Sequence, residues 1–118
     1  MSKIICIDID NTICRTKLSQ YRKSKPNKKI ISYINKLYDS GYIIKIYTAR
    51  YMGRFKDNEI LVKKFGYAKT VKQLKKWKVN FHVLHMGKPS ADIYIDDKNL
   101  YFKKNWTQDL NRLLKKLN

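Results

Sequence analysis

The sequence predicts an α/β protein built on an open parallel sheet with helices on both faces, a three-layer α/β/α arrangement without a second domain. Two observations lead there. Apolar runs of strand length alternate with segments of helical period along the 118 residues, the pattern of parallel strands joined by helical crossovers. The first of these runs is also continuous rather than alternating, as a central strand covered on both faces requires.

Residues 3–9 read as that central buried strand, with Cys6 packed inside it. Residues 11–26 are polar, basic and without clear period, which predicts a loop or small flap. Pro26 and Asn27 then open a helix carrying Ile30, Ile31, Ile34, Leu37 and Tyr38 at helical spacing, with Gly41 where a C-terminal cap belongs. Residues 42–47 form a second strand that ends at Thr48, Ala49 and Arg50. Asp57 is placed to cap a helix with Ile60, Leu61 and Phe65 that stops near Gly66. Thr70 and Gln73 fit a capping box that starts a further helix through Val71, Leu74 and Trp77. Residues 81–84 are a third strand, and residues 86–89 break it. Residues 91–95 are a fourth strand, and a last amphipathic helix starts near Thr107 with Leu110, Leu113, Leu114 and Leu117 on one face. No repeat, linker or low-complexity tract divides the chain, so residues 1–118 are expected to form one domain.

The charge is lopsided: 27 Lys and Arg against 9 Asp and Glu give a formal net charge of +18. Such a chain attracts polyanions. Yet the cations are mostly Lys and are spread along the whole sequence, whereas phosphate-reading surfaces cluster their charge and favour Arg. No apolar stretch approaches the ~20 residues of a membrane span, so no membrane partner is expected. The N-terminus enters a strand at once without a signal-peptide layout, which makes the cytoplasm the expected compartment. Cys6 and Cys14 lack metal-type spacing and read as reduced thiols.

Against this basic background, four of the nine acids sit at the ends of just two apolar runs: Asp8 and Asp10 on the first, Asp96 and Asp97 on the last. Crowded carboxylates repel and are costly to desolvate, so their placement calls for a function. In open parallel sheets the site lies beyond the C-terminal strand ends. Along that edge come Asp8 and Asp10, then Thr48, then Lys88, then Asp96 and Asp97. Hard oxygen ligands with few His or Cys nearby favour Mg²⁺. Lys88 and Thr48 are suited to phosphate oxygens, Asp8 to attack on phosphorus, and Asp10 to proton transfer. Arg50 serves either as a grip for a second anionic group or as a solvated loop arginine, and Arg54 stands in the same position. Tyr21, Arg22 and Lys23 lie in the flap, within reach of a substrate. His82 and His85 read as packing or surface residues, because further zinc ligands are wanting.

At these residues the chain resembles the haloacid dehalogenase (HAD) superfamily of phosphohydrolases. The motifs stand in order as Asp8-Ile9-Asp10-Asn11-Thr12, Ile46-Tyr47-Thr48, Gly87-Lys88-Pro89 and Ile95-Asp96-Asp97. Asn11 replaces the common Gly, and Asn tolerates the left-handed backbone that such a turn uses. The resemblance implies a Rossmann-like, HAD-like sheet of the capless type, with Asp8 as nucleophile and Asp10 as general acid/base. It implies Thr48 and Lys88 as phosphate binders, beside which Asn11 and Arg50 stand as further candidate phosphate contacts, and Mg²⁺ held by Asp8, the main-chain oxygen of Asp10 and Asp96, with Asp97 direct or through water. A finer likeness to small phosphatases of capsule and polysaccharide biosynthesis implies a sugar phosphate or related precursor as substrate, while capless members often act on large substrates or borrow a lid from a neighbouring subunit, which leaves a homo-oligomer open. Two other readings stay open: a polynucleotide end phosphatase, and a non-catalytic phosphate- or metal-binding protein on the same fold. A signalling receiver domain is disfavoured, since Thr48 and His85 stand where its phosphoacceptor Asp would be.

Overall fold

The computed structural model describes residues 3–117; Met1, Ser2 and Asn118 lie outside the described residues. It is an α/β protein with a parallel sheet of three strands, β1 (Ile4–Ile7), β4 (Ile43–Thr48) and β5 (Val83–Met86), in the order β1-β4-β5. The pairing runs in register from Ile4 opposite Ile43 to Ile7 opposite Ile46, and from Lys45 opposite Val83 to Thr48 opposite Met86. Three helices accompany the sheet: α1 (Lys28–Asp39), α2 (Glu59–Lys76) and α3 (Trp106–Leu117). Residues 11–26 form a flap in which β2 (Cys14–Arg15) pairs antiparallel with β3 (Lys25–Pro26), enclosing a 3₁₀ turn at Tyr21–Lys23.

The helix boundaries follow from local chemistry. The Asn27 side chain caps α1 by accepting from the Ile30 N–H. Gly41, at φ +96°, ends it in a Schellman turn, with its own N–H bonded to Tyr38 and that of Tyr42 to Leu37. One core joins the sheet to α1, α2 and α3: Ile7, Ile34, Ile44, Ile46, Leu74, Leu84, Trp106 and Leu110 belong to it.

Four expectations change. The first strand is shorter than residues 3–9 and lies at the sheet edge rather than its centre, which leaves Ile4 57% exposed and Cys6 exposed instead of packed. The segments 57–66 and 70–77 are one continuous helix, capped by Asn58 and not by Asp57. Gly66 does not stop it; a Cβ there would run into the Tyr51 ring, so the position admits a close approach instead. Thr70 caps nothing, because its buried hydroxyl donates back to the Gly66 carbonyl at 2.8 Å within the helix. The third strand runs two residues later than 81–84, to Met86.

The largest change is the fourth strand: residues 91–95 are not in a strand, and Ile95 is 95% exposed. The connection explains it. Four residues separate Met86 from Ala91, while a parallel return beside β1 needs a crossover of about a dozen or more. The Lys88 N–H is bonded to the Thr48 carbonyl at the C-terminal end of β4, and the three residues onward to Ala91 are too few to reach the sheet's other end.

Candidate active site

Two strand tips and two loops build the site. β1 runs out through Ile9 into a turn in which Asn11 takes φ +60°, the left-handed conformation expected of it. This turn carries Asp8 and Asp10. The tip of β4 carries Thr48 and Arg50, and the turn after β5 carries Lys88, entered through Gly87 at φ +100°. A cavity of about 380 Å³ opens there, walled by Asp8, Asp10, Arg50 and Lys88, by Tyr21 from the flap and by Tyr94.

Each acid meets one cation. Lys88 Nζ lies 3.7 Å from Asp8 Oδ1, and the two side chains are 21% and 31% exposed. The Thr12 hydroxyl donates to Asp8 Oδ2 at 3.3 Å. Burial raises the Asp8 carboxyl above the ordinary carboxylate range, with the Lys88 ammonium and the Ile9 N–H pulling it back and the Asp10 charge adding to the rise. Lys88 is steadied by the Tyr94 ring, 4.4 Å from Nζ to the centroid, and the Tyr94 hydroxyl donates to the Pro89 carbonyl.

Asp10 is held differently. Arg50 grips it with Nε (3.2 and 2.9 Å to the two oxygens) and Nη2 (2.9 Å). The Thr16 hydroxyl donates to the same Oδ1 at 2.6 Å. Arg50 is only 2% exposed, while it still contributes to the cavity wall. It is not a solvated loop arginine, and the planar fork expected to take a second anionic group is occupied by Asp10. Its remaining donor, Nη1, goes to Gln73 Oε1 at 2.5 Å.

The other expected residues fall as follows. Thr48 is fully buried and is not part of the cavity wall; its hydroxyl accepts from the Arg50 N–H at 3.1 Å. Asn11 spends its side-chain oxygen on the Thr16 N–H at 3.0 Å, which holds the flap turn. Arg54 lies on the cavity wall with its guanidinium 4.4 Å from the Phe65 ring centroid. His82 accepts from the Ile44 N–H through Nδ1 and stacks on Tyr38, and His85 packs edge-on to Tyr47, both in packing roles.

Asp96 and Asp97 are exposed and lie off the cavity wall, because the strand that was to deliver them is absent. Asp96 accepts from the Lys98 N–H, which lowers its carboxyl below the ordinary range. Among the described residues no three His, Cys, Asp or Glu side chains gather to hold a metal ion. The expected Mg²⁺ set is therefore not assembled in this arrangement: Asp8 and the Asp10 main chain stand together at the strand tip, while Asp96 and Asp97 lie off the cavity that Asp8 faces.

Sequence reading missed Gln73, Thr16 and Tyr94. Gln73 carried a signal, as the fourth residue of an apparent capping box, but for another role. Tyr94 was absorbed into the expected strand. Thr16 lies six residues from Asp10 in an aperiodic loop and carried none. A second cavity, of about 720 Å³, lies at the opposite end of the sheet near Lys3, Tyr33, Lys36 and Lys115; among the described residues its lining holds no acid and no nucleophile of the predicted kind.

No family model matches the chain, and no curated protein sequence does. Among solved structures, the crystal structure of a structural-genomics target from Vibrio cholerae superposes with a TM-score of 0.79 and 23% identity, over 98% of this chain and 99% of that one. A chain of the Pnkp1/Rnl/Hen1 RNA repair complex matches with a TM-score of 0.49 and 18% identity, over 97% of this chain and 32% of that one. At these identities the Vibrio likeness establishes a shared fold. No helix among the described residues is long and apolar enough to cross a membrane.

Proposed function

We propose that this chain is a phosphomonoester hydrolase of the HAD-like, Rossmann-type class, acting through an aspartyl-phosphate on Asp8. One observation carries the reading: a nucleophilic carboxylate, a lysine 3.7 Å from it and a second carboxylate fixed by a buried arginine share one 380 Å³ cavity beyond the C-terminal strand ends. Asp8 attacks phosphorus and the bond from phosphorus to the ester oxygen breaks; Asp10, entering this step as the carboxylic acid, gives its proton to the leaving alkoxide and becomes the carboxylate that Arg50 holds. Asp10 then removes a proton from water, which attacks the aspartyl-phosphate, releasing inorganic phosphate and restoring Asp8. Lys88 balances charge on the phosphoryl oxygens and on Asp8. Mg²⁺, which the sequence resemblance implies, has no fitting ligand set here, and no step of this scheme is routed through it.

The cavity suits a small phosphorylated metabolite, with a sugar phosphate as the favoured class. The +18 net charge supports a second reading, phosphate removal from nucleic-acid ends. Phosphate release measured over a metabolite panel beside 5′- and 3′-phosphorylated oligonucleotides tests both. Turnover of sugar phosphates that is lost in Asp8→Asn is the expected result. Preference for oligonucleotides, falling steeply with salt, would reverse the order, and no phosphate release from any substrate would refute the proposal.

A further inference from the structure

The flap and the Asp10 carboxylate are joined through a residue that the hydrolytic scheme does not use. Gln73 lies on α2, and its amide bridges two groups from different parts of the chain. Oε1 accepts from Arg50 Nη1 at 2.5 Å, and Nε2 donates to the Tyr21 carbonyl at 2.7 Å. The amide orientation is forced: a guanidinium only donates and a carbonyl only accepts, so a reversed amide would lose both bonds. Arg50 in turn holds Asp10, and its Cζ lies 4.9 Å from the centroid of the Tyr21 ring. On the other side, Thr16 donates to Asp10 and shares a 2.6 Å bond with the Ser24 hydroxyl. The chain of contacts closes a ring from the flap at Thr16 to Asp10, Arg50, Gln73 and back to the flap at Tyr21.

We infer that Gln73 is a positioning residue that couples the flap to Asp10 through Arg50. The flap also lends Leu18, Ser19 and Tyr21 to the cavity wall. A substrate that presses on the flap therefore acts on the Tyr21 carbonyl, and the ring carries that displacement to the acid. The consequence for turnover rests on the hydrolase reading; the mechanical link does not.

Two variants separate the arms of the bridge. Gln73→Leu removes both bonds. Gln73→Glu keeps an acceptor for Arg50 and sets a second acceptor against the Tyr21 carbonyl, so it frees the flap alone. Amide hydrogen exchange over residues 14–26 is expected to quicken about tenfold in both, the scale of one lost hydrogen bond of roughly 1.4 kcal/mol. In the glutamate variant KM should rise while kcat stays within about threefold of the parent. In the leucine variant kcat should also fall about tenfold, since Arg50 loses its anchor. Flap exchange unchanged in both folded variants would overturn the coupling. So would kcat lost equally in both, because that would place the effect outside the Arg50 arm. A parent protein without phosphatase activity refutes the hydrolase reading but leaves the exchange comparison standing as the test of the link.

Discussion

Replacing Lys88 with Met removes the cation beside Asp8 and keeps most of the side-chain volume. At 3.7 Å the Coulomb attraction of that pair is about 1 kcal/mol in a water-like medium and about 4 kcal/mol at an effective dielectric of 20. Both side chains keep partial contact with solvent, 21% and 31%, so screening places the contribution toward the lower half, near 2 kcal/mol. If Asp8 reacts as a carboxylate and Lys88 stabilises the same charge in the transition state, kcat/KM should fall roughly 30-fold. The pH profile supplies a second, independent reading. Burial raises the Asp8 carboxyl and Lys88 opposes that rise. The acidic limb of kcat/KM should therefore move to higher pH in Lys88→Met and stay near its original place in Lys88→Arg, which keeps the charge. The assay is kcat/KM from pH 4 to 8 on the best substrate of the panel. A profile in Lys88→Met that lies on the parent's along its acidic side would refute the electrostatic link, even if the rate fell.

Three further outcomes follow from the same geometry. Because the folded-state Asp8 carboxyl is raised, its ionised form opposes folding: its favourable contribution is present below the unfolded value and lost as pH rises through the folded one. Asp8→Asn should thus abolish turnover yet raise Tm at pH 7, with the gain vanishing near pH 3; a lower Tm at pH 7 would contradict this. Arg50→Leu strands Asp10 without its buried partner and should cost about 3 kcal/mol in denaturant unfolding; a change below about 0.5 kcal/mol would make Arg50 a ligand-facing group after all. Calorimetric titration of Mg²⁺ should give the same affinity for the parent, Asp96→Asn and Asp97→Asn, since neither carboxylate reaches the cavity; weakening by either would show that the 91–97 segment closes onto Asp8 in solution.

Local signals in the sequence were reliable where one stretch of chain decides its own conformation. Asn27, Gly41 and the apolar 42–47 run place α1 and β4 through caps, turns and burial that involve neighbours in sequence. That Asp8, Asp10 and Lys88 would meet at one sheet edge was legible because each sits at the exit of an apolar run, and all three line one cavity. The rest needed contacts that periodicity does not encode. Gly66 reads as a stop until the Tyr51 ring is seen to need its missing side chain. Arg50 and Asp10 stand 40 residues apart, so their pairing could not be read from spacing. The fourth strand failed on a quantity that was visible, the length of the connection. Ala91 to Ile95 has strand composition, but four residues after Met86 cannot carry a parallel return.

That failure changes how the acids at the tip of the first strand are to be understood. Two carboxylates two residues apart must be neutralised, and the sequence suggested a divalent cation gathered by a third and fourth acid. The structure brings two basic side chains instead, each from a different strand end: Lys88 from the turn after β5 and Arg50 from the tip of β4. The two answers are not alike. Lys88 is partly solvated and only approaches Asp8, whose carboxyl is raised by burial, takes a longer bond from the Thr12 hydroxyl and faces the cavity. Arg50 is buried and bound through its fork, which fixes the direction of Asp10. A partly solvated lysine beside one acid and a buried arginine forked onto the other is the division that the proposed nucleophile and proton-transfer group would use, since the first must form and break a bond to phosphorus while the second must stay aimed at two different oxygens in turn.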